Sequence, residues 1–272
     1  MHKAFWKGGK IVMYYVIFIV AFLACVIGKI CGMGGGVIIK PVLDAFGIMS
    51  VSSINFLSGC TVIGMSCWSV GKSYVQKDSQ IDLKISTPLA IGAAVGGILG
   101  KSSFSAVAGM FPNPDKAGGV QAILLLTATF ATLIYTIRKN HIRSLHVTNP
   151  AACVVIGLFL GMLGSFLGIG GGPFNMAVLY FFFSMTTKVA AQNSLYIILI
   201  SQVASLLITI FSRKLPEVVW IVLIGMVACG VAGSEAGGRI NKKLSERSAT
   251  VLFEMAMILV MGICCYNIAR FF

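Results

Sequence analysis

Two clusters of consecutive glycines are the residues of this chain best suited to bind a small anion. Glycines 34–36 lie within CGMGGGVIIKP and glycines 170–172 lie within LGIGGGPFNMA, 136 residues apart in a chain of 272. Glycine runs end helices and let the backbone approach a ligand closely. A helix that begins after such a run presents free N–H groups and the positive end of its dipole. The pattern predicts two backbone anion-binding segments, one in each half.

The composition places these clusters in a membrane. Hydrophobic residues make up 57% of the chain and charged residues 11%, and the mean hydropathy is +0.94. A helix needs roughly 20 apolar residues to cross a hydrocarbon core of about 30 Å. Eight stretches suit this role: 11–28, 54–71, 85–100, 118–137, 150–167, 189–212, 218–234 and 249–269. We therefore expect an all-α polytopic protein of the cell membrane with about eight spanning helices.

The second glycine cluster predicts an interrupted helix inside the membrane. Residues 144–187 carry no formal charge, and their 44 positions are about twice what one crossing needs. Pro173, directly after the glycines, suits the first turn of a new helix. Interrupted backbone is tolerated in lipid only where protein or a water-lined cavity covers it. We expect both clusters to form Gly-broken or re-entrant segments that converge near the bilayer midplane.

The two clusters belong to a longer internal repeat. Alignment of Gly28 with Gly164 gives five identical glycines in nine positions, and Asn55 falls near Asn193 if two residues are inserted. We expect a first repeat over residues 1–137, a cytoplasmic linker over 138–149 and a second repeat over 150–272. Duplicated halves of this kind are typical of secondary transporters.

The candidate substrate-binding residues are backbone glycines and small polar side chains. Close helix packing is the alternative role for the glycines, and it suits the G-x-x-G pairs Gly97/Gly100 and Gly230/Gly233 best. The polar residues lie near predicted helix starts, where capping is the alternative to binding. The set is Gly32, Gly34, Gly35, Gly36, Asn55, Ser58, Gly168, Gly170, Gly171, Gly172, Gln192, Asn193 and Ser194.

Charged residues within the apolar stretches also need a role, because a charge at the bilayer centre costs roughly 2.5–3.5 kcal/mol. Lys40 and Asp44 are one helical turn apart, so Lys40 could attract the anion while Asp44 carries a coupling proton. The alternative is a local ion pair at the membrane boundary. Lys101 and Glu235 each follow a G-x-x-G pair, and we expect them to reach the interface.

The doubled motif resembles the sulfite exporter TauE/SafE family of membrane permeases. The family pattern G-x-x-x-G-[IM]-G-G-G is found here as GKICGMGGG at 28–36 and GSFLGIGGG at 164–172, with Pro41 and with Asn193-Ser194 further on. Three features depart from the pattern: Asn55-Phe56 replaces a hydroxyl pair, Lys40 precedes Pro41, and Pro173 directly follows the second run. The resemblance implies transport, often outward, of sulfite or an organosulfonate.

Loop charges favour a cytoplasmic location for the linker and for the loop that contains Lys72 to Lys84. Parallel and inverted arrangements of the halves both satisfy this rule, and we favour inverted repeats around one site. No catalytic set, metal cluster or nucleotide-binding loop is present in the sequence, so an enzyme, a cofactor or a nucleic-acid partner is not expected. An anion channel, or a carrier of another small anion such as a carboxylate, remains the alternative to a sulfur-anion exporter.

Overall fold

The computed structural model describes residues 2–112, 116–139, 142–212 and 215–271, the first ten of them by their backbone alone. Within these ranges the chain forms helices and no strand. The helices are α1 (His2–Cys31), α2 (Gly36–Phe46), α3 (Val51–Val75), α4 (Leu83–Gly109), α5 (Ala117–Arg138), α6 (Pro150–Phe166), α7 (Pro173–Phe183), α8 (Thr187–Phe211), α9 (Trp220–Lys243) and α10 (Glu246–Phe271).

The helix lengths confirm an all-α polytopic membrane protein. Seven helices are long and apolar enough to cross a membrane: α1 over Val12–Cys31, and α3, α4, α5, α8, α9 and α10. The remaining expected stretch, residues 150–167, forms α6, which has 17 residues. The short helices α2 and α7 have 11 residues each. Each half thus has a first apolar helix, a short helix of 11 residues and three long helices, in that order.

The predicted domain limits stay a prediction, although they match the gap between α5 and α6. The predicted first repeat ends at residue 137 and α5 ends at Arg138; the second repeat and α6 both begin at Pro150. Residues 140–141 of the proposed linker lie outside the described residues, as do 1, 113–115, 213–214 and 272 of the two repeats.

Both glycine clusters interrupt the helices, as the sequence predicts. Gly32 and Gly34 have φ angles of 67° and 74°, and Gly168 and Gly170 have 68° and 78°, a region that residues with a side chain rarely adopt. The chain therefore reverses sharply after α1 and after α6. Gly35, at the start of α2, returns to Cys25 of α1, so the two helices form an antiparallel hairpin.

From the first helix of each half to α3 and α8, the structure fixes the register of the repeat at 136 residues without an insertion. Helices α3 and α8 both contain 25 residues, and they begin at Val51 and Thr187. A β-carbon on Gly32 would meet Ala191, and one on Gly168 would meet Asn55. The two contacts are equivalent, because Gly168 corresponds to Gly32 and each glycine meets the same position of the other half's long helix. The equivalent of Asn55 is thus Ala191, and the expected match of Asn55 with Asn193 is wrong.

Small residues let helices from opposite halves pack closely. On α4, Gly92, Gly96 and Gly100 face backbone carbonyls of α6, where a β-carbon would clash. On α9, Gly233 and Gly237 face carbonyls of α1 in the same way. The packing role predicted for the G-x-x-G pairs therefore holds for Gly100 and Gly233.

Matched contacts along the helices give their directions. Along α3, Thr61 contacts Gly230 and Lys72 contacts Glu235, so α9 runs parallel to α3. Along α4, Gly92 contacts Val154 and Gly100 contacts Met162, so α6 runs parallel to α4. We name the two ends of the molecule after two residues of α3. Helix α3 begins at the end that we call the Ser53 side and ends at the one that we call the Ser73 side.

Candidate functional site

Two cavities lie at opposite ends of the molecule. The Lys101 cavity, of about 440 Å³, lies at the Ser53 side. The Lys29 cavity, of about 500 Å³, lies at the Ser73 side. The first is lined by residues that include Asn55, Lys101, Ser165, Gly168, Gln202 and Thr209. The second is lined by residues that include Lys29, Ser69, Lys72, Ser73, Gln192 and Glu235.

The two cavities use equivalent positions of the repeat. In the Lys29 cavity the Lys29 Nζ donates to Ser69 Oγ at 2.5 Å. In the Lys101 cavity the hydroxyls of Ser165 and Ser205 are 2.9 Å apart. Ser165 and Ser205 are the 136-residue equivalents of Lys29 and Ser69. Each half therefore contributes the same helix faces to one cavity, but with a lysine on one side and a serine on the other.

The glycine turns lie together between the cavities. Gly34 faces Ile198 and Val62, at the middle of α8 and α3. A β-carbon on Gly36 would clash with the Ile169 carbonyl oxygen of the other turn, and one on Gly171 would clash with Ile198. The absence of side chains is what allows the two turns to touch. The expected convergence of the two clusters is thus present in the structure.

Several small polar side chains are buried without a hydrogen-bond partner among the described residues, and two of them, Ser58 and Asn175, lie beside the turns. Ser58 and Ser194 are 0% exposed, they are 136-residue equivalents, and neither hydroxyl has a partner. Asn175 Oδ1 on α7 and Ser66 Oγ on α3 are also unpartnered. A buried polar group normally has a partner, because leaving it unpaired costs about 1–3 kcal/mol. These groups are therefore available to a polar ligand.

The remaining predicted polar residues have several different locations. Asn55 and Gly168 line the Lys101 cavity, and Gln192 lines the Lys29 cavity, where its Oε1 accepts from Ser73 Oγ at 3.2 Å. Asn193 holds the α3–α4 loop: its Oδ1 accepts from the Asp82 N–H at 2.9 Å and from Ser86 Oγ at 2.6 Å. Its Nδ2 donates to the carbonyls of Gln80 and Val189.

Capping, which the sequence left as the alternative role for these polar residues, is not what the structure shows. Helix α3 begins at Val51, where the Ser50 Oγ accepts from the Ser53 N–H at 3.2 Å. Helix α8 begins at Thr187. Asn55, Ser58, Gln192, Asn193 and Ser194 lie one or more turns inside these helices. Both helices begin a few residues before the apolar stretches that predicted them. The apolar stretches missed these starts because the first turn of each helix is polar.

Lys40 and Asp44 form the local ion pair that the sequence left as an alternative. Their side chains pair with each other on α2, and the two residues are 2% and 4% exposed. They line a small separate space with Gln121 and Asn267, away from both cavities. The pair therefore holds α2 without facing an anion in this conformation.

Charged residues of the Lys29 cavity are mostly paired. Glu235 accepts from Lys72 at 2.5 Å and from Arg239 at 2.8 Å, so it does not simply reach the interface. Lys242 lies 2.8 Å from Asp78 in the α3–α4 loop, and its hydrogen bond lowers the pKa of that carboxyl. Both acids are thus neutralised by neighbouring cations, whereas Lys29 donates to the Ser69 hydroxyl and forms no ion pair within the described part of the chain.

Lys101 also differs from its expected role. Its ammonium donates to the Thr209 hydroxyl inside the Lys101 cavity rather than pointing to the interface. The signal that could have located it is the 136-residue register, because Thr209 is the equivalent of Ser73 in the other cavity. Among the described residues no cluster of His, Cys, Asp and Glu could hold a metal ion.

The sequence matches the family model for the sulfite exporter TauE/SafE over residues 17–264. The chain belongs to the TauE/SafE family. A relative is the "Probable membrane transporter protein YunE" of Bacillus subtilis (strain 168), which is 22% identical over 275 residues, covering 91% of this chain and 95% of the relative. No solved structure matches the TauE/SafE chain. The chain is thus a membrane transporter and not an enzyme, as its sequence predicts.

Proposed function

We propose that this TauE/SafE transporter is a secondary carrier that exports a small sulfur-containing anion, such as sulfite or an organosulfonate, by alternating access. One observation carries the proposal: two polar cavities containing lysines lie at opposite ends of the molecule and are separated by the paired glycine turns. A carrier needs an access path from each side and a closed contact between them. The touching turns provide that contact.

The charges of the two cavities support an anionic substrate. Each cavity offers ammonium and hydroxyl donors, which bind oxyanions through charge-assisted hydrogen bonds. The buried hydroxyls of Ser58 on α3 and Ser194 on α8, which line neither cavity, are further neutral donors. Neutral donors can bind an anion without trapping it, because a full opposite charge buried at that depth would bind too tightly. The family supplies the preference for sulfur oxyanions.

Alternating access is supported by the directions of the helices. The first hairpin starts and ends at the Ser53 side, since α1 runs parallel to α9 and α2 returns along it. The second hairpin starts and ends at the Ser73 side, since α6 runs parallel to α4. We propose that the halves are inverted repeats, an arrangement in which rocking of the helices exposes each cavity in turn.

We place the Ser73 side in the cytoplasm of a cell bounded by its plasma membrane. Lys and Arg are more abundant at cytoplasmic segments, and those at the Ser73 side number eleven. They are Lys72, Lys77, Lys84, Arg138, Lys139, Arg143, Lys188, Arg239, Lys242, Lys243 and Arg247. The linker 138–149 is then cytoplasmic, and the Lys29 cavity collects the anion for export.

Flux measurements on purified protein in proteoliposomes test the proposal. We expect saturable counterflow of labelled sulfite or ethanesulfonate that responds to an imposed proton gradient if transport is proton-coupled. Transport that is electrogenic and does not saturate would indicate a channel, and a preference for acetate over sulfite would indicate a carboxylate carrier. Absence of sulfite and sulfonate flux, with the protein inserted and monodisperse, would overturn the substrate assignment.

Leucine substitutions at the turns test the site itself. Gly35→Leu and Gly171→Leu should abolish flux, because a side chain there meets Cys25 and Ile198. Gly71→Leu is the matched control, since a β-carbon at this exposed position on α3 meets nothing within 4 Å. Gel filtration in detergent reports whether each variant still inserts and folds. Normal flux in both turn variants would contradict the role of the glycines.

A further inference from the structure

Each cavity contains one lysine that bonds to a hydroxyl and forms no ion pair with a described carboxylate. The Lys29 ammonium bonds to Ser69 on α3, and the Lys101 ammonium bonds to Thr209 on α8. Both lysines are half-buried. Three other basic residues of the Lys29 cavity, Lys72, Arg239 and Lys242, pair with Glu235 or Asp78, and Lys188 donates to the Leu244 carbonyl. The charges of the three paired residues are already neutralised inside the protein.

The two lysines were not produced by copying one from the other. The repeat equivalent of Lys29 is Ser165. A β-carbon on Gly100 would meet the Met162 carbonyl and one on Gly237 the equivalent Val26 carbonyl, so the residue that corresponds to Lys101 is Gly238. One lysine thus comes from the first helix of a half and the other from the fourth. Each nevertheless reaches a hydroxyl of the α3–α8 pair in its own cavity. Two different sequence positions supply the same chemistry at opposite ends.

A half-buried ammonium without a carboxylate is an incomplete ion pair. Burial of a charge is costly unless an opposite charge completes it. An oxyanion that accepts from the ammonium and from the neighbouring hydroxyl would complete it at either end. Ser73 and Gln192 line the same wall near Lys29, and Ser165 and Gln202 do so near Lys101. Each cavity therefore offers neutral hydrogen-bonding side chains beside its hydroxyl-bonded lysine.

We infer that Lys29 and Lys101 are two side-specific anion seats: Lys29 holds the transported oxyanion at the Ser73 side, and Lys101 holds it at the Ser53 side. This inference rests on the proposed function, because it assigns roles within that transport path. The anion passes from one seat to the other across the glycine turns, where only neutral donors are present. Affinity at each side is therefore set by a different lysine.

Side-resolved kinetics test the inference. Inside-out and right-side-out membrane vesicles present opposite faces of the transporter to labelled sulfite. Lys29→Gln should raise KM roughly tenfold for entry from the Ser73 side, the range expected for loss of one charge-assisted hydrogen bond, and should change KM for entry from the Ser53 side less than about twofold. Lys101→Gln should show the reverse. Lys29→Arg and Lys101→Arg should restore most of the lost affinity, because they keep the charge.

Matched controls and a binding measurement make failures distinguishable. Lys84→Gln and Lys116→Gln remove exposed lysines from the Ser73 and Ser53 sides, respectively, and should leave both KM values unchanged. Trp68 lines the Lys29 cavity, so sulfite should change its fluorescence in purified protein in a manner that Lys29→Gln abolishes. Trp68→Phe provides the blank. Lys29-dependent binding without sulfite flux would overturn the proposed function alone. Sulfite flux with unchanged side-specific KM values in both glutamine variants would overturn this inference alone.

Discussion

We propose that two buried hydroxyls, those of Ser58 and Ser194, bind the anion as it crosses the centre of this molecule. Ser58 and Ser194 occupy equivalent positions, are fully buried and have no described hydrogen-bond partner. Protein cores rarely leave hydroxyls in this condition, because desolvation is then uncompensated. Their equivalent positions in the two halves support this proposal. Stability and transport should therefore respond in different ways when they are removed.

Replacement of both hydroxyls separates these two effects. In the double variant Ser58→Ala/Ser194→Ala we expect thermal stability to be unchanged or higher by up to about 1 kcal/mol, since no native hydrogen bond is lost. Sulfite flux at low concentration should fall roughly tenfold or more, because two donors to the anion are removed. Thermal unfolding in detergent and proteoliposome flux measure the two quantities. Thr127→Ala, on the exposed face of α5, is the control; wild-type flux in the double variant would refute the binding role.

The Lys40–Asp44 pair gives the opposite prediction. Lys40→Met alone should destabilise the protein by about 3–5 kcal/mol, because it removes one charge of a buried ion pair. Lys40→Met/Asp44→Leu should recover most of that stability, since both charges are removed together. Thermal unfolding of the three proteins compares them.

The same double variant also tests a role in transport. Because neither residue lines a main cavity, it should keep sulfite flux. Loss of the response to a proton gradient in a well-folded double variant would instead support a coupling role for Asp44.

At the scale of elements, the glycine turns combine two separate requirements. Gly34 needs its positive φ of 74° but has ordinary space around its Cα, whereas Gly36 is helical and faces the Ile169 carbonyl of the other turn. Conformation is therefore the constraint at Gly34, and close approach is the constraint at Gly36. Alanine substitutions can separate the two.

Alanine at the two glycines should have unequal effects. Gly34→Ala should cost about 1–2 kcal/mol of stability, the price of a left-handed residue with a β-carbon, and leave measurable flux. Gly36→Ala should disrupt the contact between the turns and reduce flux more strongly. Gly262→Ala, in an open position of α10, should gain up to about 1 kcal/mol. Detergent melting curves and flux on the same preparations make the comparison; equal losses at both turn positions would contradict it.

Much of the element order could be predicted from sequence, because its causes are local. Seven of the eight apolar stretches form helices long enough to cross a membrane, and the eighth forms the 17-residue α6. The φ angles required at Gly32 and Gly34 end α1 where the sequence indicates. The starts of α3 and α8 could not be read from apolarity, since their first turns are polar. The match of Asn55 with Asn193 failed because the register is set by contacts between the halves, such as Gly32 with Ala191.

At the scale of the whole molecule, two similar halves form two unlike cavities. The Lys29 cavity contains five basic and two acidic side chains, whereas Lys101 is the only charged side chain that lines the other among the described residues. The lysine seats were not predicted, because sequence distance hides which hydroxyl each ammonium reaches. Lys29 and Ser69 are 40 positions apart, and Lys101 and Thr209 are 108 apart. An export path follows if the more basic end faces the cytoplasm.

Reporter fusions test this orientation. Green fluorescent protein fused after Arg143, in the linker, should fluoresce, because the Ser73 side is proposed to be cytoplasmic. Alkaline phosphatase fused after α10 should be active, because α10 ends near Gly118 at the opposite side. Exchange of the two reporters should silence both. Activity in the reversed pattern would invert the proposed direction of transport without changing the two-cavity architecture.

The close packing of α1 against α9 and of α6 against α4 has a consequence for biosynthesis. The glycine-lined contacts of α1 are made by a helix that leaves the ribosome only after most of the chain has been synthesised. Until α9 is inserted, the face of α1 that will pack against α9 contacts lipid or an insertion factor. The first half is thus not a finished folding unit when its last helix is released, and the native assembly closes late, when α9 arrives.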